Sequence, residues 1–188
     1  MSQTEQEAWL QGISLRTARW VDRVVIGLNL CPFAKAVQVK GQVRYVVSLA
    51  GTTEALLGDL ERELSALMAA APEEIDTTLL IHPRVLDDFD DANDFFHEAN
   101  DLLSGLGLEG ELQLANFHPD YRFAGSAADD PANATNRSPY PMLHLLREAS
   151  VTRAVDTFPD PSRIYERNIE TLRALEPAEL ARLLADDA

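Results

Sequence analysis

The stretch of residues 76–83, DTTLLIHP, determines the fold that the sequence predicts. Its short apolar run is closed by a proline, which cannot donate a hydrogen bond to a neighbouring strand, so the run predicts a buried strand. Residues 110–119, GELQLANFHP, predict a second strand that also ends on His-Pro. The two strands therefore end in the same way, at His82 and His118.

Segments with other patterns surround these two strands. Residues 42–49 (QVRYVVSL) are rich in β-branched and aromatic side chains and predict a third strand. Residues 52–71 and 85–107 carry apolar side chains at helical spacing; the first segment opens on threonines that can cap a helix, and the second ends in a glycine-rich stop. The order strand–helix–strand–helix–strand predicts parallel pairing through right-handed crossovers. A ferredoxin-like α+β sheet with an additional antiparallel strand is the alternative.

The remaining chain is predicted to be helical except for one long loop. Residues 5–28 form an N-terminal helix, residues 120–138 show no periodicity, and helical patterns resume at about 141–155, 159–175 and 176–187. A loop this long in a compact domain is usually functional or disordered. We therefore predict a single α/β (or α+β) domain with a small three- to four-stranded, largely parallel sheet packed with helices. Its parts are an N-terminal helix (1–30), a βαβαβ core (42–119), a functional loop (120–139) and C-terminal helices (140–188).

The composition restricts the class of protein. The chain has 188 residues, 31 of them acidic and 16 basic, which gives a formal charge of −15. So acidic a surface repels phosphate backbones, which argues against broad nucleic-acid binding but leaves room for a local basic pocket. One cysteine excludes an internal disulfide and is typical of a reducing compartment, so we expect a cytoplasmic protein. We expect neither a signal peptide nor a membrane-spanning helix, and no motif identifies a cofactor.

The two strand-end histidines indicate where a site lies. If both strands run parallel in one sheet, His82 and His118 emerge at its carboxyl edge, outside which open α/β sheets bind their ligands. On immediately neighbouring strands they would lie about 5 Å apart and share a pocket. The alternative is that each His-Pro only terminates a strand. His97 is expected to be structural, and His144, in the first turn of a predicted helix, can face either way.

Residues 135–148, TNRSPYPMLHLLRE, predict the start of a helix suited to an anion. Free backbone N–H groups at a helix N-terminus attract anions, and a nearby guanidinium adds a bidentate partner. Together with the strand-end histidines, Arg137 and Arg122 would form a local positive pocket for a phosphate or carboxylate. The alternative is an ordinary cap whose arginine pairs with a surface acid. The predicted substrate-binding residues are Arg122, Asn136, Arg137, Ser138 and Tyr140.

The only cysteine lies in NLCPFAK, residues 29–35. Because proline is favoured at the first position of a helix, Cys31 is a candidate N-cap, where the helix dipole and Lys35 would favour the thiolate. A thiolate there could attack an electrophile with His118 or His82 as acid–base partner. The same three side chains also suit a zinc ion, and a free cysteine is often a buried core residue. The sequence is compatible with all three roles of Cys31: a nucleophile, a zinc ligand and a buried core residue.

Five motifs stand out along the chain: NLCPFA, TTLLIHPRVLDDF, NDFF, FHPDYRFAG and TNRSPYPMLHLLREASV. In combination they resemble an uncharacterised bacterial family, a domain of unknown function of about this length. The resemblance extends from the first helix to DTFPDPSRIYERN, and it implies one shared pocket without naming a reaction. The residues of this chain that match the motif positions are Cys31, His82, His118, Arg137, Ser138, Pro139 and Tyr140.

The leading hypothesis from the sequence is a small enzyme with its site at the carboxyl edge of the sheet. His118 and His82 would transfer protons, and Cys31 would act as nucleophile or line the wall. Arg137 and Arg122 would hold an anionic group of the substrate. The alternative is a non-catalytic module that binds a small anion or a metal and acts through a protein partner.

Overall fold

Within the residues that the structure describes, a four-stranded sheet forms the centre of the protein. The structure is a computed structural model and describes residues 2–156, 160 and 162–185. In spatial order the strands are β1 (Val43–Val47), β2 (Thr77–Ile81), β4 (Met142–Arg147) and β3 (Leu112–Phe117). β1 pairs parallel to β2, whereas β4 pairs antiparallel to both β2 and β3. The predicted mixed α/β class is confirmed.

The position of β4 corrects one predicted element. Residues 141–155 were predicted to form a helix, but Met142–Arg147 is a strand, and helix α5 follows it at Glu148–Asp156. β4 lies between β2 and β3, and helices cover both of its faces, so its apolar side chains do not alternate with polar ones. A continuous apolar run of this kind does not distinguish a buried strand from a helix. The sheet therefore contains the antiparallel strand of the alternative prediction and is not largely parallel.

The other predicted helices are present with small changes of boundary. Thr52 caps α3 with its side chain, and Asp88 caps α4 by accepting hydrogen bonds from two backbone N–H groups. The predicted helix start at 159–161 and the end of the chain at 186–188 fall mostly outside the described residues. The helices are α1 (Gln3–Trp20), α2 (Ala34–Val39), α3 (Thr53–Ala69), α4 (Phe89–Gly105), α6 (Ser162–Ala174) and α7 (Pro177–Ala185), together with a π-helical continuation of α1 (Val21–Ile26) and a 3₁₀ turn (Pro131–Thr135).

Helices pack on both faces of the sheet. On one face α3 and α4 bury their leucines against Leu80 of β2 and Leu143 of β4. On the other face α1, its π-helical continuation, α6 and α7 pack against Leu79, Ile81 and Met142. Successive residues of β2 thus face opposite layers, as the pleat of a strand requires. Among the described residues, no helix combines the length and apolar character needed to cross a membrane.

The topology brings the ends of β2 and β3 to one edge of the sheet. Both strands pair antiparallel to β4, so they run in the same direction and their carboxyl ends lie at the same edge. The His82 N–H donates to the Pro141 carbonyl at 3.0 Å, and the His118 N–H donates to the Asn136 carbonyl at 3.2 Å. The turn after β2 and the long loop after β3 therefore meet at the point where β4 begins.

Candidate functional site

The two strand-end histidines hold the turn that follows β2. Each is buried, with 2% of its surface exposed. His82 Nδ1 lies 3.1 Å from the Val85 carbonyl oxygen, and His118 Nε2 lies 3.1 Å from the Leu86 carbonyl oxygen. Because a carbonyl only accepts, His82 carries a proton on Nδ1 and His118 carries one on Nε2. The histidines lie at one edge, as expected for strands that run in the same direction, but the condition of immediately neighbouring strands is not met, because β4 separates β2 from β3.

His118 also binds the loop that follows β3. Its Nδ1 accepts a hydrogen bond from the Asp120 backbone N–H at 3.0 Å. Each ring nitrogen therefore makes one hydrogen bond: Nε2 to the turn after β2, and Nδ1 to the loop after β3. The acid–base role predicted for His118 stays a prediction, and it would require one of these hydrogen bonds to break.

His82 is held as a neutral imidazole. Its pKa is lowered to about 4, mainly by burial; the hydrogen bond to the Val85 carbonyl acts in the opposite direction, and the nearby His118 adds to the lowering. His82 therefore carries no charge at neutral pH. Its Nδ1–H is fixed by Val85, and no hydrogen bond to its Nε2 is present among the described residues.

The turn after β2 has an unusual backbone at Leu86. This leucine has φ +64°, in the left-handed region that a side chain with a Cβ rarely adopts. Its side chain packs against the core of α3 and α4, and its carbonyl accepts the hydrogen bond of His118. These contacts stabilise a conformation that places Asp87 and Asp88 beside the loop after β3.

The loop after β3 is ordered from within by a buried asparagine that the sequence analysis did not single out. Asn133, in the 3₁₀ turn, has none of its surface exposed. Its Oδ1 accepts from the Phe123 N–H at 3.1 Å and from the Ser126 hydroxyl at 2.6 Å, and its Nδ2 donates to the Ala127 carbonyl at 2.8 Å. These hydrogen bonds hold the 3₁₀ turn against the part of the loop that precedes it.

Arg137 is the second residue that organises this loop. Its Nε donates to the Tyr121 carbonyl at 3.3 Å, and its Nη2 donates to the Ala128 carbonyl at 2.6 Å. No carboxylate among the described residues lies within ion-pair distance of this guanidinium. Arg122 differs, because its Nη2 pairs with Asp90 Oδ1 at 3.0 Å and its guanidinium lies over the Phe89 ring.

Arg122 and Arg137 line the same pocket, which we call the edge pocket. Its volume is about 300 Å³. Its walls come from the turn after β2 and from the loop after β3, and they carry three carboxylates and two guanidinium groups, so the pocket is of mixed charge and not positive as predicted. The lining residues are Asp87, Asp88, Phe89, Asp120, Arg122, Ala128 and Arg137.

The other predicted substrate-binding residues have structural contacts outside the edge pocket. The Ser138 hydroxyl donates to the Tyr140 carbonyl at 2.7 Å, and Asn136 Nδ2 donates to the Asn116 carbonyl at 3.2 Å. The Tyr140 ring lies beneath the guanidinium of Arg16. The helix N-terminus predicted at 135–148 is absent because the chain enters β4 there, so the predicted anion site at a helix start is wrong.

Cys31 occupies a turn and not a helix cap. Asn29, with φ +52°, turns the chain away from the π-helical segment. The Ala34 N–H donates to the Cys31 carbonyl, and α2 begins at Ala34 with Phe33 as its N-cap, so the predicted N-cap position of Cys31 is wrong. The thiol is partly buried, and neither Cys31 nor the two strand-end histidines line the edge pocket.

The zinc interpretation of Cys31 and the two histidines is not supported by the geometry. Across residues 2–156, 160 and 162–185, no three His, Cys, Asp or Glu side chains are grouped so that they could hold a metal ion. The nucleophilic role of Cys31 stays a prediction.

The remaining histidines lie away from the edge pocket. His144 is in β4, where its Nε2 lies 2.7 Å from Thr77 Oγ1. The Thr77 hydroxyl donates to the Leu145 carbonyl, so the His144 ring donates to Thr77. Burial lowers the pKa of His144 to about 4. His97 is exposed on α4.

Comparison with known proteins places the chain in a family. A search of curated proteins and a search of solved structures found no match. A family model described as a protein of unknown function (DUF1415) matches residues 12–182, which is most of the chain and includes the edge pocket. The predicted membership of a domain-of-unknown-function family is therefore confirmed. The chain belongs to the DUF1415 family.

Proposed function

We propose that the protein binds a small molecule through a phosphate or carboxylate group in the edge pocket. One observation carries the proposal: Arg137 lines the pocket, and its guanidinium is held by two neutral carbonyls without a described carboxylate partner. A guanidinium held by carbonyls keeps its charge, and the N–H groups of Nη1 and the second N–H of Nη2 are left to donate to the oxygens of a phosphate or carboxylate.

The acidity of the whole chain does not oppose an anion at this position. At physiological ionic strength, charges separated by more than about 8 Å are largely screened, so distant surface acids contribute little. At about 4 Å from a partly buried guanidinium, an anionic oxygen gains roughly 4 kcal/mol before the cost of desolvation. Binding at this site therefore depends mainly on Arg137, Arg122 and the three carboxylates of the pocket.

The carboxylates of the edge pocket indicate what else the ligand carries. Carboxylates only accept hydrogen bonds, and one oxygen of Asp88 is already used to cap α4. Asp87 and Asp120 are exposed and have no side-chain hydrogen bond among the described residues. Because these two carboxylates can only accept hydrogen bonds, they favour a ligand that has hydroxyl or amino donors beside its anionic group. A simple anion fits them less well.

Catalysis at the same edge is a second candidate, and the state of His82 favours it. The carbonyl that fixes Nδ1–H directs the Nε2 lone pair of the ring, which is a common arrangement in general bases, although a pKa of about 4 makes His82 a weak base at neutral pH. In this version His82 and His118 would transfer protons and Cys31 would act as a nucleophile, in a cytoplasmic enzyme.

Isothermal titration of the full chain tests ligand binding. The probes are inorganic phosphate, a hexose phosphate and a hydroxycarboxylate. We expect at least one of them to bind the wild type, and Arg137→Lys to weaken that binding about tenfold, because lysine keeps the charge but loses the planar fork. Arg122→Met should weaken it less, because Arg122 is already paired with Asp90.

The matched control for these variants is Arg182→Met, on the exposed surface of α7. Like Arg122→Met, it removes one positive charge, but outside the edge pocket, and it should leave the affinity unchanged. The proposal fails if the wild type binds none of the three probes, or if Arg137→Lys binds them as well as the wild type does.

A further inference from the structure

The two walls of the edge pocket are joined by one side chain that does not line it. The turn after β2 supplies Asp87, and the loop after β3 supplies Asp120. His118 donates from Nε2 to the carbonyl of Leu86, the residue before Asp87, and accepts at Nδ1 from the N–H of Asp120 itself. The His118 ring also makes an edge-to-face contact with Phe89, at 5.6 Å between ring centroids.

We propose that His118 is a positioning residue that fixes the separation of Asp87 and Asp120 across the edge pocket. The proposal rests on the proposed function, because the separation matters only if a ligand bridges the two walls. Asp87 and Asp120 belong to segments far apart in the sequence, and no other described side chain hydrogen-bonds to the backbone of both segments. Without His118, the two walls stay linked through the Arg122–Asp90 ion pair and the Phe89–Tyr121 ring contact, but no hydrogen bond fixes the backbone of Leu86 relative to that of Asp120.

The left-handed backbone at Leu86 makes this link necessary. A leucine at φ +64° is held there by its surroundings, and the His118 hydrogen bond acts on the carbonyl of that same residue. Loss of the bond allows the peptide between Leu86 and Asp87 to rotate, which would move the Asp87 carboxylate relative to Arg137. A displacement of about 1 Å at a binding or catalytic group is enough to reduce function by up to about a hundredfold.

Two conservative variants separate the two hydrogen bonds of His118. His118→Gln places an amide donor near the position of Nε2, so it can reach the Leu86 carbonyl but offers no acceptor to Asp120. His118→Asn places an oxygen near the position of Nδ1, so it can accept from the Asp120 N–H but does not reach Leu86. His118→Ala removes both hydrogen bonds.

The experiment combines hydrogen exchange at the Asp120 amide, followed by NMR, with titration of the tightest of the three probes. We expect the Asp120 amide to lose protection in His118→Gln and to keep it in His118→Asn, while both variants lose about tenfold in affinity. His118→Ala should lose more than either. If His118→Ala does not fold, the other two variants still decide the question.

The matched control is His144→Gln, which changes a partly buried histidine of β4 that lies outside the pocket. It should lower stability without changing the probe affinity. The positioning role is overturned if the Asp120 amide stays protected in His118→Gln, or if both conservative variants bind the probe within about twofold of the wild type. If the wild type binds no probe, the proposed function fails, and the exchange pattern alone then decides whether His118 links the two walls.

Discussion

At the scale of single residues, Asn133 has the largest structural role in the loop after β3. Replacing Asn133 with alanine removes the partner of the Phe123 N–H and of the Ala127 carbonyl, two hydrogen bonds that are partly buried. An unsatisfied buried group costs about 1–3 kcal/mol, and both of these groups keep some access to water, so we expect Asn133→Ala to lower the free energy of unfolding by about 2 kcal/mol. Urea denaturation measures the effect, with Asn93→Ala on the exposed face of α4 as control. A loss below about 0.5 kcal/mol, the range of ordinary surface changes, would contradict this role.

Residue-scale features of the site were only partly predictable from the sequence. Arg122 and Arg137 are predicted to bind an anionic group because they are cations in a loop of a very acidic chain, and both line the edge pocket. Asp87 and Asp120 are not among the predicted site residues. Each follows a His-Pro by a few positions, and this spacing could have indicated that they lie near the ends of the two strands. Asn133 gave no signal, because a buried asparagine and an exposed loop asparagine are identical in sequence. Its importance depends on which backbone groups the fold brings to its amide.

At the scale of secondary-structure elements, a partly buried arginine of β4 caps the end of α3. Arg147 Nη2 donates to the carbonyls of Leu67 at 2.5 Å and Ala70 at 2.7 Å, where the helix leaves its last carbonyls without partners. Arg147→Met keeps the apolar stem and removes these donors, so we expect it to lower the free energy of unfolding by about 2–3 kcal/mol. Thermal and urea unfolding measure the loss. The matched control is Arg44→Met in β1, whose exposed ion pair with Glu63 should contribute less than about 1 kcal/mol.

The element that sequence reasoning misassigned is β4, and the reason is physical. Its sequence, MLHLLR, contains leucine and methionine, which favour helices, and no alternation of apolar and polar residues. It forms a strand because its backbone groups find partners in β2 on one side and β3 on the other. Tertiary pairing of this kind overrides local propensity and is invisible in a single sequence. The strands β1, β2 and β3 were predictable because β-branched residues and terminal prolines mark them.

At the scale of the whole molecule, the sheet topology decides which residues meet. The sequence predicted that the strands before His82 and His118 run in the same direction, and in the structure they do, even though β4 lies between them. The loop from 120 to 138 consequently folds back over the edge where both strands end. The edge pocket is thus built from a turn and a loop that are separated by all of α4 and β3. Its composition could not be predicted, because it depends on loop conformations that Asn133, Arg137 and His118 fix together.

The stability of the whole molecule should fall in mild acid because of its buried histidines. Burial lowers the pKa of both His82 and His144 to about 4, below the value of about 6.5 expected in the unfolded chain. Between pH 4 and 6.5 the unfolded state therefore binds more protons than the folded state. Each histidine contributes up to about 3 kcal/mol to the free energy of unfolding above pH 6.5, and this contribution is lost as the pH falls towards 4. Urea unfolding at pH 7, 6 and 5 measures the slope of stability with pH, which we expect to be shallower in His144→Gln than in the wild type. His97→Gln, which changes an exposed histidine, should keep the wild-type slope, and equal slopes in all three proteins would show that His144 does not contribute to the loss of stability in acid.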